Sequence, residues 1–96
     1  MLELRPGCEA CGKPLPPSAT EAMICSFECT FCRACVETRL MNVCPNCGGG
    51  LSPRPIRPKA KLAENPASTR VVSKPVDAEA HAAFATPIKD VPPELR

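Results

Sequence analysis

Tryptophan and tyrosine are absent from this sequence, and phenylalanine occurs three times in 96 residues. So few rings provide no stacking platform for single-stranded nucleic acid, which needs aromatic faces along a basic groove. Histidine occurs once, at His81, so any Cys/His or Ser/His pairing for nucleophilic catalysis would have to reach that one ring. No apolar run approaches the ~18 residues of a membrane-spanning helix. The opening residues, MLELRPG, have no basic stretch followed by an apolar one. The expectation is a cytoplasmic chain without a membrane partner, in a compartment where thiols stay reduced. Cysteine does not occur after Cys47, nor glycine after Gly50.

What is present is concentrated in the first half. Eight cysteines fall between positions 8 and 47: Cys8, Cys11, Cys25, Cys29, Cys32, Cys35, Cys44 and Cys47. A segment of this length is too short for a hydrophobic core to suffice, and a disulfide or metal staple is required. Eight thiols could form a disulfide framework, but a reducing compartment and the pairwise spacing favour metal. The spacing is Cys-x2-Cys, Cys-x3-Cys, Cys-x2-Cys, Cys-x2-Cys. Two thiolates so close can reach one ion, and Gly12 and Gly48 relieve the tight turns behind the first and last pairs. Four pairs make two four-sulfur sites, which suit two structural zinc ions with no position open to a substrate.

Around the ligands the pattern predicts a small α+β unit. Glu21–Phe27 reads as a strand with Met23, Cys25 and Phe27 on one face. The capping-box match Ser18-Ala19-Thr20-Glu21 is overridden by the need to deliver Cys25. Phe31–Asn42 reads as a helix whose buried stripe is Val36, Leu40 and Val43. Leu15, Met23, Ile24, Phe27 and Phe31 complete the expected core, and Gly48-Gly49-Gly50 reads as a hinge.

Residues 1–52 therefore form the metal module, and residues 53–96 a tail holding eight of the thirteen prolines. Its opening, PRPIRPKAK, is expected to be extended and solvated, and the whole Pro/Ala-rich tail disordered. A short helix within 77–86 is the exception, with Asp77 capping Ala78–Ala85 and Pro87 ending it. His81 lies there, far from the cysteines, so a metal role is not assigned to it. Residues 1–52 carry four basic and five acidic groups, and eight thiolates on two divalent ions add a further −4, for about −5 when loaded. The tail carries eight basic and five acidic groups, a net +3. An acidic module argues against a nucleic-acid partner.

The spacing leaves three pairings of the cysteine pairs open: sequential, interleaved, or the two Gly-closed knuckles on one ion. The order and gaps resemble the RING finger pattern. Cys29 stands where that family usually has histidine, and Cys29-Thr30-Phe31-Cys32-Arg33-Ala34-Cys35 and Cys44-Pro45-Asn46-Cys47 match its central and closing segments. The resemblance covers residues 8–47. It implies the interleaved, cross-braced pairing, with Cys8, Cys11, Cys32 and Cys35 on one ion and Cys25, Cys29, Cys44 and Cys47 on the other, in a small ββα fold. The stretches LRPGCEACGKPLPP, ICSFECTFCRACVETRL and CPNCGG also resemble a bacterial cysteine-rich domain of unknown function. Ubiquitin-ligase RINGs generally present a bulky apolar residue in the first metal loop and a cation after the last ligand. This chain has Glu9 and Ala10, then Gly48.

The function expected is a zinc-stabilised protein-interaction module, not an enzyme, whose partner is another protein and which takes no small-molecule substrate. The alternatives are a ubiquitin-ligase-type scaffold and a nucleic-acid-binding zinc ribbon. A rubredoxin-like iron carrier would leave four cysteines needing a second role.

Overall fold

Three very short strands, two short helices and two single 3-10 turns, Lys59–Lys61 and Pro93–Leu95, make up the regular structure of the computed structural model, which describes residues 1–96. Strand β1 (Ala22–Ile24) pairs antiparallel with β2 (Thr30–Cys32), placing Ala22 opposite Cys32 and Met23 opposite Phe31. A third strand, β3 (Ser52–Pro53), pairs with the other side of β1, giving the order β2-β1-β3. Proline suits this outer position, where its missing N–H breaks no ladder.

β1 stops at Ile24 because the chain turns on itself between Cys25 and Cys29. Glu28 takes a left-handed φ of 65°, and Cys25 N–H reaches the Cys29 carbonyl. Phe27, expected on the buried face with Met23 and Cys25, sits at the tip of this turn and is 70% exposed. Directly after β2 the chain enters a helix, α1, formed by Arg33–Cys35 and continuing as a π-helical turn over Val36–Leu40. The expected stripe is present, with Val36, Leu40 and Val43 buried. The helix is shorter than the expected Phe31–Asn42 at both ends. Phe31 belongs to β2, and Met41 and Asn42 are left-handed, closing α1 through an Asn42 N–H bond to the Val36 carbonyl.

The core joins these elements to residues on both flanks. Cys8, Leu15, Ala22, Phe31, Val36, Leu40 and Leu51 form one buried cluster with other cysteines. Leu4, in the lead before the first knuckle, is also buried.

The tail departs from the expectation of disorder over 53–96. The expected boundary cuts through β3, and Arg54 just beyond it is 4% exposed. The Arg54 guanidinium donates to the carbonyls of Arg5, Leu15 and Pro16 at 3.0, 3.1 and 2.9 Å. Arg57 reaches the Leu2 carbonyl at 2.7 Å. Backbone bonds from Ser68 to Leu4 and from Lys74 to Glu9 carry the chain back past the first knuckle. Helix α2 (Ala78–Ala85), capped by the Asp77 carboxylate on Ala80 N–H, then lies against the end of α1. The basic, proline-spaced segment is indeed short of regular structure. It is held instead by side-chain donors satisfying carbonyls that no strand or helix uses. The glycine run is no hinge. Gly48 packs beneath Phe84 and Ile88, and a Cβ on Gly50 would come within 2.7 Å of Pro93. No helix is long and apolar enough to cross a membrane.

Candidate metal centre

The first and last cysteine pairs are built alike. In the first knuckle, Cys8 N–H donates to Lys13 O and Gly12 N–H to Cys8 O, both at 2.9 Å. In the last, Cys44 N–H donates to Gly49 O and Gly48 N–H to Cys44 O, both at 2.8 Å. Gly12 and Gly48 share a φ of 78°, a conformation that glycine enters without steric cost. These turns hold two sulfurs toward one point. Cys32 ends β2 and Cys35 lies one helical turn on, so the strand-to-helix junction supplies another pair. The tight Cys25–Cys29 turn supplies the fourth.

The fold brings the pairs together in alternation. The sulfurs of Cys8, Cys11, Cys32 and Cys35 all lie within 4.8 Å of one another, and so do those of Cys25, Cys44 and Cys47. The Cys11–Cys32 separation is 3.7 Å. Cys29 flanks the second group. Its sulfur accepts a hydrogen bond from Asn46 Nδ2 at 3.4 Å, and its acidity responds to Cys25 beside it. The groups of four and three cysteines can each hold a metal ion. The first group takes its halves from either side of Cys25–Cys29, so the two groups alternate along the chain.

Amide donors surround the sulfurs of the second group. Phe27 N–H points to Cys25 Sγ and Gly49 N–H to Cys47 Sγ, each at 3.4 Å. Such donors offset thiolate charge. Cys11 and Cys47 are the exposed members and the other six cysteines are buried. Burial pushes the pKa of the Cys29, Cys32, Cys35 and Cys44 thiols upward. Cys11 moves the other way, mainly through a backbone hydrogen bond at Lys13. The four thiols that burial shifts upward therefore hold their protons until an ion replaces them.

Sequence reasoning missed what joins the two groups. Glu9, between Cys8 and Cys11, is 2% exposed. Its carboxylate accepts from Arg5 Nη1 at 2.8 Å and from the backbone N–H of Thr30, while its own N–H donates to Thr30 O at 2.9 Å. Thr30 lies between Cys29 and Cys32, so Glu9 pins the first knuckle to the segment that feeds both groups. The position of a charged residue inside a ligand pair was the one visible hint. His81 is likewise buried, by α1 and not by metal. Its Nε2 lies 2.9 Å from Leu40 O; a carbonyl only accepts, so that nitrogen carries the proton. Nδ1 is buried with no partner. No cysteine group includes His81.

A family model described as "Protein of unknown function (DUF1272)" matches residues 1–57. An uncharacterised protein of Rhizobium meliloti (strain 1021) is 59% identical over 75 residues, covering 78% of this chain and 89% of that protein. No solved structure matches the chain. The family match runs past the last cysteine to include Arg54 and Arg57, and the alignment with the relative is far longer than the cysteine segment. The chain belongs to the DUF1272 family, a cysteine-rich family of unknown function.

Proposed function

We propose that the chain is a zinc-stabilised protein-interaction module with no catalytic activity of its own. The observation that carries this reading is the gathering of the cysteine sulfurs into two separate groups. Four thiolates at the zinc–sulfur distance of about 2.3 Å stand about 3.8 Å apart along a tetrahedron's edge. The 3.7 Å between Cys11 and Cys32 supports that fit. Cys29, beside the second group, would complete its set of four. An ion enclosed by four thiolates has no free position at which to activate water or polarise a substrate, and the thiolates themselves are neutralised.

The ligase-type alternative gains nothing from the first loop, where Glu9 is buried and bound, or from Gly48, which lies under Phe84 and Ile88. The surface left for recognition includes the outer face of α1, where Glu37, Thr38 and Arg39 are exposed and Met41 is half-buried. A polarizable methionine beside charged groups suits adaptable protein contacts. Purified protein should contain about two zinc ions per chain and unfold on chelation. Arg39→Glu with Met41→Asp should retain both ions yet lose the protein captured by the intact chain. One ion per chain would overturn the metal reading, and capture undiminished by the double variant would overturn this placement of the surface.

A further inference from the structure

One ring nitrogen of His81 is committed and the other is idle. The residue is 4% exposed, and its Nε2 donates to Leu40 O at 2.9 Å. That bond fixes the proton on Nε2 and leaves Nδ1 as an acceptor. Nδ1 is the one buried side-chain nitrogen or oxygen of the chain with no hydrogen-bond partner. A buried acceptor without a donor is costly, so the position calls for a donor that the chain itself does not supply.

His81 lines a cleft of about 250 Å3 between Pro45–Asn46 of the final knuckle and the first turns of α2. A single water needs only about 10–15 Å3. Two further acceptors border the same cleft. Asp77 spends one carboxylate oxygen on the Ala80 cap, which leaves Oδ2 free. Asn46 donates through Nδ2 to Cys29 Sγ, which leaves Oδ1 free. The rest of the wall is mainly apolar, with Pro45, Pro75, Val76 and Phe84. Phe84 is 44% exposed there. Lys74 stands at the exposed edge of the cleft and pairs with no carboxylate.

We infer that this cleft binds a primary ammonium group carried on a short apolar body. An ammonium offers three donors and no acceptor, which matches three acceptors of which one is charged. An alcohol offers one donor and a water two. A bare metal ion would leave the apolar wall facing water, whereas an apolar body covers Phe84 and the prolines and removes their surface from solvent. A simple amine, a free amino acid or the amino end of a peptide all carry this chemistry. Lys74 adds a contact for the carboxylate that only the free amino acid places beside its ammonium. The site goes beyond the protein-interaction reading and does not rest on it, and it shares no residue with either cysteine group.

The probes are isopentylamine, leucine and a leucine-led dipeptide, with isopentyl alcohol as the neutral match, each titrated into the zinc-loaded full chain. Nitrogen-15 NMR of the imidazole reads Nδ1 directly, because a donor arriving at an unprotonated ring nitrogen moves its resonance upfield. At least one ammonium probe should saturate with a Kd at or below about 1 mM and shift Nδ1. The alcohol should bind at least about tenfold more weakly, and the order among the three ammonium probes identifies the source. Asp77→Asn keeps the helix cap and should weaken the best probe at least about tenfold, since a charged hydrogen bond becomes a neutral one. Phe84→Ala, at a half-exposed position, should weaken it as well and stands in if the first variant loosens α2. No saturation by any ammonium probe, saturation that leaves Nδ1 unmoved, equal binding of the alcohol, or undiminished binding by a folded variant would overturn the inference. Amide exchange in α2 shows whether each variant is folded, and the titration of the unaltered chain decides on its own.

Discussion

Removing the head group of Arg54 while keeping its stem, as in Arg54→Met, should destabilise the metal module although no ligand is touched. The guanidinium is 4% exposed and donates to three carbonyls from residues 5, 15 and 16, and no carboxylate pairs with it. Burial alone lowers its pKa, so part of what the three bonds contribute offsets the loss of hydration. A hydrogen bond from a charged donor contributes about 1.5–3 kcal/mol, and a buried carbonyl left without a donor costs about 1–3 kcal/mol. The bond to Leu15 is fully buried, whereas water can replace part of those to Arg5 and Pro16. One full penalty and two partial ones, less the guanidinium's recovered hydration, give a net loss of about 2–4 kcal/mol. For a domain of this size that is a fall of at least about 10 °C in melting temperature. Thermal and urea unfolding of zinc-saturated protein measure it, with zinc content as the control for intact sites. A loss under about 0.5 kcal/mol, the ordinary effect of a surface change, would refute the claim that Arg54 ties the tail to the lead and the proline loop.

With cadmium-113 in place of zinc, scalar couplings should connect Cys8, Cys11, Cys32 and Cys35 to one signal and Cys25, Cys29, Cys44 and Cys47 to the other; a signal shared by Cys8 and Cys25 would refute the interleaved grouping. Burial raises the pKa of Cys29, Cys32, Cys35 and Cys44, so an entering ion must expel their protons, and affinity should rise with pH and fall toward acid by up to about tenfold per proton per unit. Competition with a chromophoric chelator between about pH 6 and 8 checks this, and a flat profile contradicts it. Gly12→Ala and Gly48→Ala impose the same left-handed strain, about 1–2 kcal/mol, but a Cβ at Gly12 meets open space while one at Gly48 stands 3.3 Å from Ile88 and 3.5 Å from Phe84. Gly48→Ala should therefore cost more and loosen α2, and equal costs in urea unfolding would remove Gly48 from the packing of the tail.

The metal module was legible because its determinants are local. A ligand pair two residues apart followed by glycine encodes its own turn, and the Val36–Leu40–Val43 stripe encodes its own helix. Asp77 likewise announced the start of α2. The interleaved grouping was not in the spacing, which admits three solutions, and entered only through a resemblance. Its physical cause is the β1–β2 pairing, which sets Ala22 opposite Cys32 and thereby carries the Cys25–Cys29 turn away from the Cys32–Cys35 junction. Phe27 was misread for the same reason. Alternation along a strand assigns faces only while the strand continues, and here it ends at Ile24.

The tail was illegible for a different reason. Proline-spaced basic sequence with a single aromatic cannot bury enough apolar surface to order itself, and that reasoning holds for the segment alone. Arg54 and Arg57 do not need an apolar partner. They need carbonyl oxygens with acceptor capacity to spare in another irregular segment, and the lead and the loop through Leu15 and Pro16 supply them because prolines there prevent a regular ladder. Two segments that each look unstructured thus satisfy one another across 38 to 55 positions of sequence. No window of residues contains that match. The burial of a lone arginine among backbone oxygens becomes visible only when both segments are in place.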